Sequence, residues 1–555
     1  MKKIFLITFI IIVNLICVSA QSRFYIKHAD KLYKNQLAPD AEILVGNVHL
    51  KKDAVTLWCD SARYYNESGS FDAFGHVLVK RADTLSLVCD TLFYDGASRT
   101  TQALNNITLK NRKSRLVTNQ IDYDELTGVA VYTNGGTLYR DGATLFSEWG
   151  EYNTITDYAS FIQNVQVNSN GTNIYSDSLN YDLKTKDADF LGNVILKTEE
   201  YDIVSTRLLY NTGSEMATIV APTNITNTDG TFIYSEKGTY DVKNDAGNLL
   251  TGSYIIHDMR TISGDSLCYD KVKGINEAFY NVKIIDEENR LTLTGGHCWY
   301  NEQNGDAMAT DSALVMDWSE VDTVFLHADS LKLFTYNINT DSVHRILRAY
   351  HKVRLFRNDI QAVCDSLVFV QCDSCTYLYG QPIVWQENNQ ITGEEIRAFN
   401  NDSTIRLVRV INQAMIVECL DSISYNQISG REILAYFEAG KLIRNEAHGN
   451  VIVDYFFDEE NGGRIGMNYS ESSDLKVFMK DQKVNKIWMP ATTGTMYPAD
   501  KIPLDKRYLP GFAWFESIRP INGKDVFRWE EKDKKHILKK SIQRTVPLQK
   551  LSEIK

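Results

Sequence analysis

Long apolar runs are missing from this sequence once its first twenty residues are passed, which excludes a helical membrane span in the rest of the chain. Clustered positive charge is missing too. With 59 basic against 71 acidic residues and a formal charge of −12, the chain lacks the electrostatic footprint of a nucleic-acid binder. General attraction to an anionic membrane surface is disfavoured for the same reason. Cysteines number nine in 555 residues, and the eight after the leader are too sparse for a disulfide scaffold. The ten histidines show no HxxxH or HxH spacing, and neither a Gly-rich phosphate loop nor GxSxG occurs. The single CxxC, Cys372 to Cys375, has no second ligand pair for zinc and no helix start to lower a thiol pKa. It reads as a local disulfide or two reduced thiols. No catalytic residue, metal site or cofactor is expected.

The opening MKKIFLITFIIIVNLICVSAQS joins Lys2 and Lys3 to an apolar run that ends in Val18-Ser19-Ala20, a secretory signal peptide over 1–20 with a small-residue cleavage site. Ile16 stands where a lipid-modified Cys17 would be preceded by a small residue, so lipidation is rejected. Periplasmic export is expected.

What the chain does contain is β-forming texture. Aromatics make up 11%, including 30 Tyr, and Val, Ile and Thr recur in short runs that suit a pleated, half-buried surface. The length exceeds one compact core, which points to an array. The array is visible directly: LWCDSARYY at 57–65, LSLVCDTLFYD at 85–95 and IYSDSLNYD at 174–182 share apolar, small, Asp, Ser or Thr, apolar, any, aromatic. The closing aromatics Tyr64, Tyr94, Tyr123, Tyr152, Tyr181, Tyr210, Tyr240, Tyr269 and Tyr300 are spaced by 29 to 31 residues. A second signature leads each unit, as in GNVHL at 46, GHVLV at 75 and GNVIL at 192, with the apolar–polar alternation of strands.

Leu87 and Cys89 share one parity, and Leu92 and Tyr94 the other, so an unbroken strand cannot turn all four inward. A corner at Cys89-Asp90-Thr91 resolves this. Asp and Ser/Thr suit it because their side chains can bond the backbone groups that a bend leaves unpaired. The Asp position is Asn119, Glu148, Thr206, Glu236 or Gly296 in other units, which a corner tolerates and a reaction centre would not. Cys59 and Cys89 hold equivalent places, and stacking of neighbouring units sets them about 5 Å apart.

The units GNVHLKKDAVTLWCDSARYY and LGNVILKTEEYDIVSTRLLY resemble the OstA/LptA family of lipopolysaccharide-transport proteins, whose region also occurs in LptD and LptC. The resemblance is good from about 40 to 300 and weak to about 470. It implies an all-β fold, an elongated β-jellyroll or open β-solenoid of stacked repeats of about 29 to 30 residues with a less regular C-terminal region. It further implies an apolar interior that shields the acyl chains of lipopolysaccharide, and bridging between inner and outer membranes through other jellyroll proteins or end-to-end self-association. The chain is at least about twice as long as the small LptA pattern and ends too soon for the LptD barrel. Candidate groove residues are Val48, Leu57, Val77, Leu87, Tyr94, Ile107, Leu116, Ile174, Tyr181, Val194, Ile203 and Tyr210.

The expected organisation is the signal peptide, a lead segment at 21–40, regular repeats at 41–300, degenerate repeats at 301–470 and a proline-marked region at 471–555, where six of the nine prolines fall. The lead segment is thin cover, so the edge at 41–50 is expected to pair with another jellyroll. Tyr94, Tyr181 and Tyr210 are expected in one column. A secreted β-helix enzyme acting on polysaccharide would show a charged cluster on one face, and none stands out in the sequence. A structural or adhesive exoprotein is the other alternative, and no anchoring signal is recognised for it.

Overall fold

A computed structural model describes residues 23–530, apart from 36–37, 83, 112–113, 141, 170, 339, 402–403, 460–462 and 482. The signal peptide and the basic tail after 530 lie outside the described residues. Among the described residues regular structure consists of β-strands and, after Pro498, three single-turn 3-10 helices. The chain divides into two compact units, residues 1–228 and 229–555. Each is a stack of antiparallel strands, which is the all-β architecture expected.

In the first unit β1 (Tyr25–His28), β2 (Lys31–Asn35), β3 (Ala38–Lys52), β4 (Val55–Tyr65), β5 (Ser70–Arg81), β6 (Leu85–Asp95), β7 (Thr100–Asn111), β8 (Ser114–Asp124), β9 (Val129–Tyr132), β10 (Gly136–Arg140) and β11 (Ala143–Ser147) follow in order. One repeat is therefore a leading strand and a motif strand paired antiparallel. This corrects the expected cysteine geometry: Cys89 pairs with Val77 of β5, and β5 lies between β4 and β6, so equivalent residues stand two strands apart, roughly 10 Å. All eight cysteines among the described residues are free.

The corner falls where the parity argument puts it. Inward positions Leu57, Cys59, Ala62 and Tyr64 are all buried, and the register shifts between Trp58 and Ser61. Its construction differs from expectation. The two signatures are two sides of one bend: the leading strand crosses it through consecutive left-handed residues such as Gly46-Asn47, Asn105-Asn106 and Gly192-Asn193. The second residue then reaches the corner Asp, with Asn106 Nδ2 donating to Asp90 at 2.7 Å, Asn193 to Asp177 at 3.0 Å and Asn281 to Asp265 at 2.8 Å. The backbone carbonyl in the bend is satisfied instead by the small residue before the Asp position, which is Thr206 in one of these coils. Ser176 Oγ donates to the Ser178 carbonyl at 3.0 Å, Ser205 to Arg207 at 2.9 Å and Cys59 Sγ to Ser61 at 3.2 Å.

The lead segment is also more than cover. Tyr25, Ile26 and His28 pair with β3 at Lys51, Leu50 and His49, and Lys31 to Lys34 pair with Val45 to Glu42. Asn47 Nδ2 donates to Asp30 at 2.9 Å, so Asp30 occupies a corner position. The stack thus begins near residue 25, and the edge at 41–50 is already occupied.

In the second unit the strands continue past Tyr300 with longer arms, as far as Arg464–Lys480. The proline-marked region first adds a last layer to the stack, Lys483–Trp488 and Thr493–Pro498 pairing with Arg464–Lys480, and from 507 to 528 it runs across the outer face of that unit. Gln390 grips it with both ends of its amide, donating to the Ala513 carbonyl at 2.7 Å and accepting from Phe515 N–H at 2.8 Å. Gln427 does the same with Arg507 at 3.0 Å and Leu509 at 2.9 Å. Apolar clusters sit under both grips, Trp385 with Ile518 and Val417 with Leu509. Arg354, 1% exposed, donates to the Ile518 carbonyl at 2.9 Å and pairs with Asp525 at 3.3 Å.

Candidate apolar groove

Cross-strand register in the first unit aligns one row of thirteen aliphatic residues without a polar interruption: Leu50, Leu57, Val79, Leu87, Leu109, Leu116, Leu138, Leu145, Val167, Ile174, Leu196, Ile203 and Ile225. Its exposure is uneven. Leu50 and Leu57 at one end and Ile174, Leu196, Ile203 and Ile225 at the other are buried, while the seven from Val79 to Val167 are partly exposed. The row is open over its seven central members and closed at both ends.

The expected groove residues divide along this line. Leu57, Leu87, Leu116, Ile174 and Ile203 belong to the row, and of these only Leu87 and Leu116 lie in its open stretch. Val48, Val77, Ile107 and Val194 sit at the corner, each 0% exposed, and form its floor. Val79, Leu109, Leu138, Leu145 and Val167 are not among the groove candidates read from sequence, although each lies in a strand whose alternation marks it as inward and Leu145 stands seven residues before Tyr152 like the motif aliphatics Leu57 and Leu87.

On the far side of the corner, Tyr64, Phe71, Tyr94, Thr101, Tyr123, Ala130, Tyr152, Ala159, Tyr181, Ala188 and Tyr210 form a second row. Tyr94, Tyr181 and Tyr210 do share it, mostly alternating with smaller partners. Burial pushes the Tyr210 phenol up to about 12. The two arms converge at the first coils: Lys52 Nζ, at the end of one arm, donates to Tyr94 Oη of the other at 2.8 Å and pairs with Glu125 at 2.9 Å. Burial opposes the Lys52 charge, but these two hydrogen bonds outweigh it and its pKa is raised. Beside this contact Phe71 and Tyr94 stack at 5.3 Å between ring centres, and Phe24 meets both edge to face at 4.9 and 5.2 Å.

The thiols in the motif are unsuited to nucleophilic work, since burial pushes Cys59 and Cys89 up to about 12. Among the described residues no group of three or more His, Cys, Asp or Glu could hold a metal ion, and no helix is long and apolar enough to cross a membrane. A charged cluster does break the pattern, contrary to the reading of the sequence. At the tips of β7, β8, β10 and β11 a shallow concavity of about 370 Å³ is lined by Lys110, Asn111, Ser114, Arg115, Tyr139, Arg140, Gly142, Ala143 and Thr144. The Arg115 guanidinium lies 4.3 Å over the Tyr139 ring. Sequence reading missed it because its members come from two turns of neighbouring coils, at 110–115 and 139–144.

With this geometry in hand, residues 21–177 match the family model of OstA-like proteins, so this segment of the chain is OstA-like. The match contains the whole open stretch of the aliphatic row. A search of curated proteins finds no match to the chain.

Proposed function

We propose that this chain, OstA-like over residues 21–177, is a non-enzymatic periplasmic carrier of lipopolysaccharide that holds acyl chains along its open aliphatic row. The observation that supports this reading is the coincidence of the matched segment with seven consecutive, partly exposed aliphatic residues facing the groove. Such a surface gains roughly 25 cal/mol for each Å² it buries against a hydrocarbon chain. No charged grip on the chains themselves is needed.

Bridging to the membranes follows from edges. Among the described residues no strand pairs with the outer side of β1 and β2, where Tyr25, Leu32 and Tyr33 are exposed. We place a jellyroll partner, a second copy or a membrane-bound protein, on this edge rather than at 41–50.

The test is photocrosslinking in cells from Leu116 and Leu138, with the buried Val48 and Ile203 as controls, and mass spectrometry of the adducts. Lipopolysaccharide adducts at the first pair and none at the second are expected. Adducts absent at Leu116 and Leu138 in a folded, exported protein would overturn the carrier reading. Crosslinks from Tyr25 and Tyr33 to no protein would remove the bridge.

A further inference from the structure

The open stretch of the aliphatic row and the basic tips coincide. One position beyond the row, the cross-strand neighbours run Lys51, Thr56, Lys80, Ser86, Lys110, Arg115, Tyr139, Thr144, Asn168 and Asn173, with no acid among them. The next positions add Arg81 and Arg140, while Lys52 there is buried against Tyr94 and Glu125. The sequence 110–115, KNRKSR, carries four positive charges and no acid; Arg112 and Lys113 lie outside the described residues, as does Asp141, the one acid of the neighbouring tip. At the far closed end of the row the tips change sign: the turn after Leu196 reads KTEEYD. In a chain of net charge −12 a positive rim that starts at the first coil, where Asp53 stands beside Lys51 and Lys52, and runs along the open coils through Lys80, Lys110 and Arg115 calls for a local cause.

We propose that this rim, with Lys110, Arg115 and Arg140 at its centre, binds the phosphate groups of an anionic amphiphile whose chains lie on the open row. The geometry fits such a ligand. Arg140 is on the same side of the sheet as Leu109, Leu116 and Leu138, while Lys110 and Arg115 stand on the other side of the lip, so the concavity straddles the edge between the apolar face and solvent. Tyr139 holds the Arg115 guanidinium against its ring, which lowers the cost of ordering a donor that can bind two phosphate oxygens at once. A molecule with apolar chains and phosphates meets both surfaces at one place. A neutral amphiphile meets only one.

This rests on the carrier reading, and the experiment separates the two. Purified full-length protein is titrated with bisphosphorylated lipid A, with its dephosphorylated counterpart and with inorganic phosphate. The wild type is compared with a Lys110→Ala/Arg115→Ala/Arg140→Ala variant and with a charge-keeping Arg115→Lys/Arg140→Lys variant, their fold checked by circular dichroism. The wild type is expected to prefer the bisphosphorylated form by roughly tenfold or more, a preference lost in the alanine variant and largely kept in the lysine variant, while the affinity for the dephosphorylated form stays unchanged. Equal wild-type affinity for the two lipids, or equal loss of both in the folded alanine variant, would overturn the phosphate site and leave the carrier reading standing. Competition by inorganic phosphate at the same concentration as lipid would mark a general anion site and overturn it too. Binding of neither lipid would overturn both.

Discussion

The corners of the first unit and the outer face of the second solve the same problem, a strand whose polar groups must be satisfied away from a regular ladder, over very different distances. In the first unit Asp90 and Asn106, Asp177 and Asn193, and Asp60 and His76 are each 16 residues apart, and the bond lies near the surface. In the second unit Gln427 reaches Leu509 across 82 residues and Arg354 reaches Asp525 across 171, and both Gln427 and Arg354 are buried. A local, exposed bond tolerates exchange, which is why His stands at 76 and Asn at 106. A buried, remote one does not, because losing one partner strands the other without water.

The sharpest way to break that comparison is Asp525→Ala. It leaves the Arg354 guanidinium, 1% exposed, with its charge uncompensated, at a cost of about 3 to 5 kcal/mol. Limited proteolysis after 507 and the urea midpoint report it. A loss under about 1 kcal/mol would show that the segment at 507–528 is held by its apolar clusters alone.

Asp454 extends the contrast to pH. It is 0% exposed, beside Gln427, with Oδ1 bonded to nothing, and burial pushes its pKa from the ordinary 3.8 up to about 7 against the opposing pull of Lys506. A raised carboxyl pKa means the folded state holds a proton that the unfolded state releases between these two values. Its stability contribution is therefore full below about 4 and is lost as pH rises through 7. Protection over 507–515, taken relative to the intrinsic exchange rate at each pH, is expected to be higher at pH 5.5 than at pH 8.5, and Asp454→Asn to flatten the difference. An unchanged slope in the variant would place the titration elsewhere.

These two regions also show what a sequence makes legible. The corner could be located from Leu57, Cys59, Ala62 and Tyr64 because the parity of a strand is a local property, and the stack followed from the 29 to 31 residue spacing of the tyrosines. The bonding inside the corner was assigned to the wrong atoms: Asp177 takes the Asn193 amide, and Ser176 takes the backbone carbonyl. Both residues were in the motif, but spacing alone does not say which side chain points into the bend. The groove residues were legible as inward but not as open or closed, since exposure depends on how the arms converge, as at Lys52 and Tyr94. The segment at 507–528 was legible only as a change in texture. Nothing in Gln390 or Gln427 announces a partner more than eighty residues away.

Gly192→Ala probes the local side. Its φ of +72° is left-handed, and an added Cβ would lie 2.2 Å from Asp177 Oδ2. The conformational term alone is about 1 to 2 kcal/mol. Asn105 occupies the equivalent place at φ +63° in another coil, so Asn105→Gly is expected to be neutral or slightly stabilising. A Gly192→Ala variant as stable as wild type by thermal denaturation would mean the bend shifts freely.

The smallest effect is the most discriminating. Asp177→Ala removes one exposed hydrogen bond, from Asn193 at 3.0 Å, and is expected to cost about 1 kcal/mol or less, because both groups regain water. The same change also clears the space that the Gly192→Ala methyl would invade. If the corner is a self-contained device, the double variant costs less than the two single changes added together, the difference being the steric term that Asp177 imposed on position 192. Strict additivity by chemical denaturation would mean that the carboxylate swings away at no cost, and that the pairing of the two signatures follows from the bend rather than shaping it.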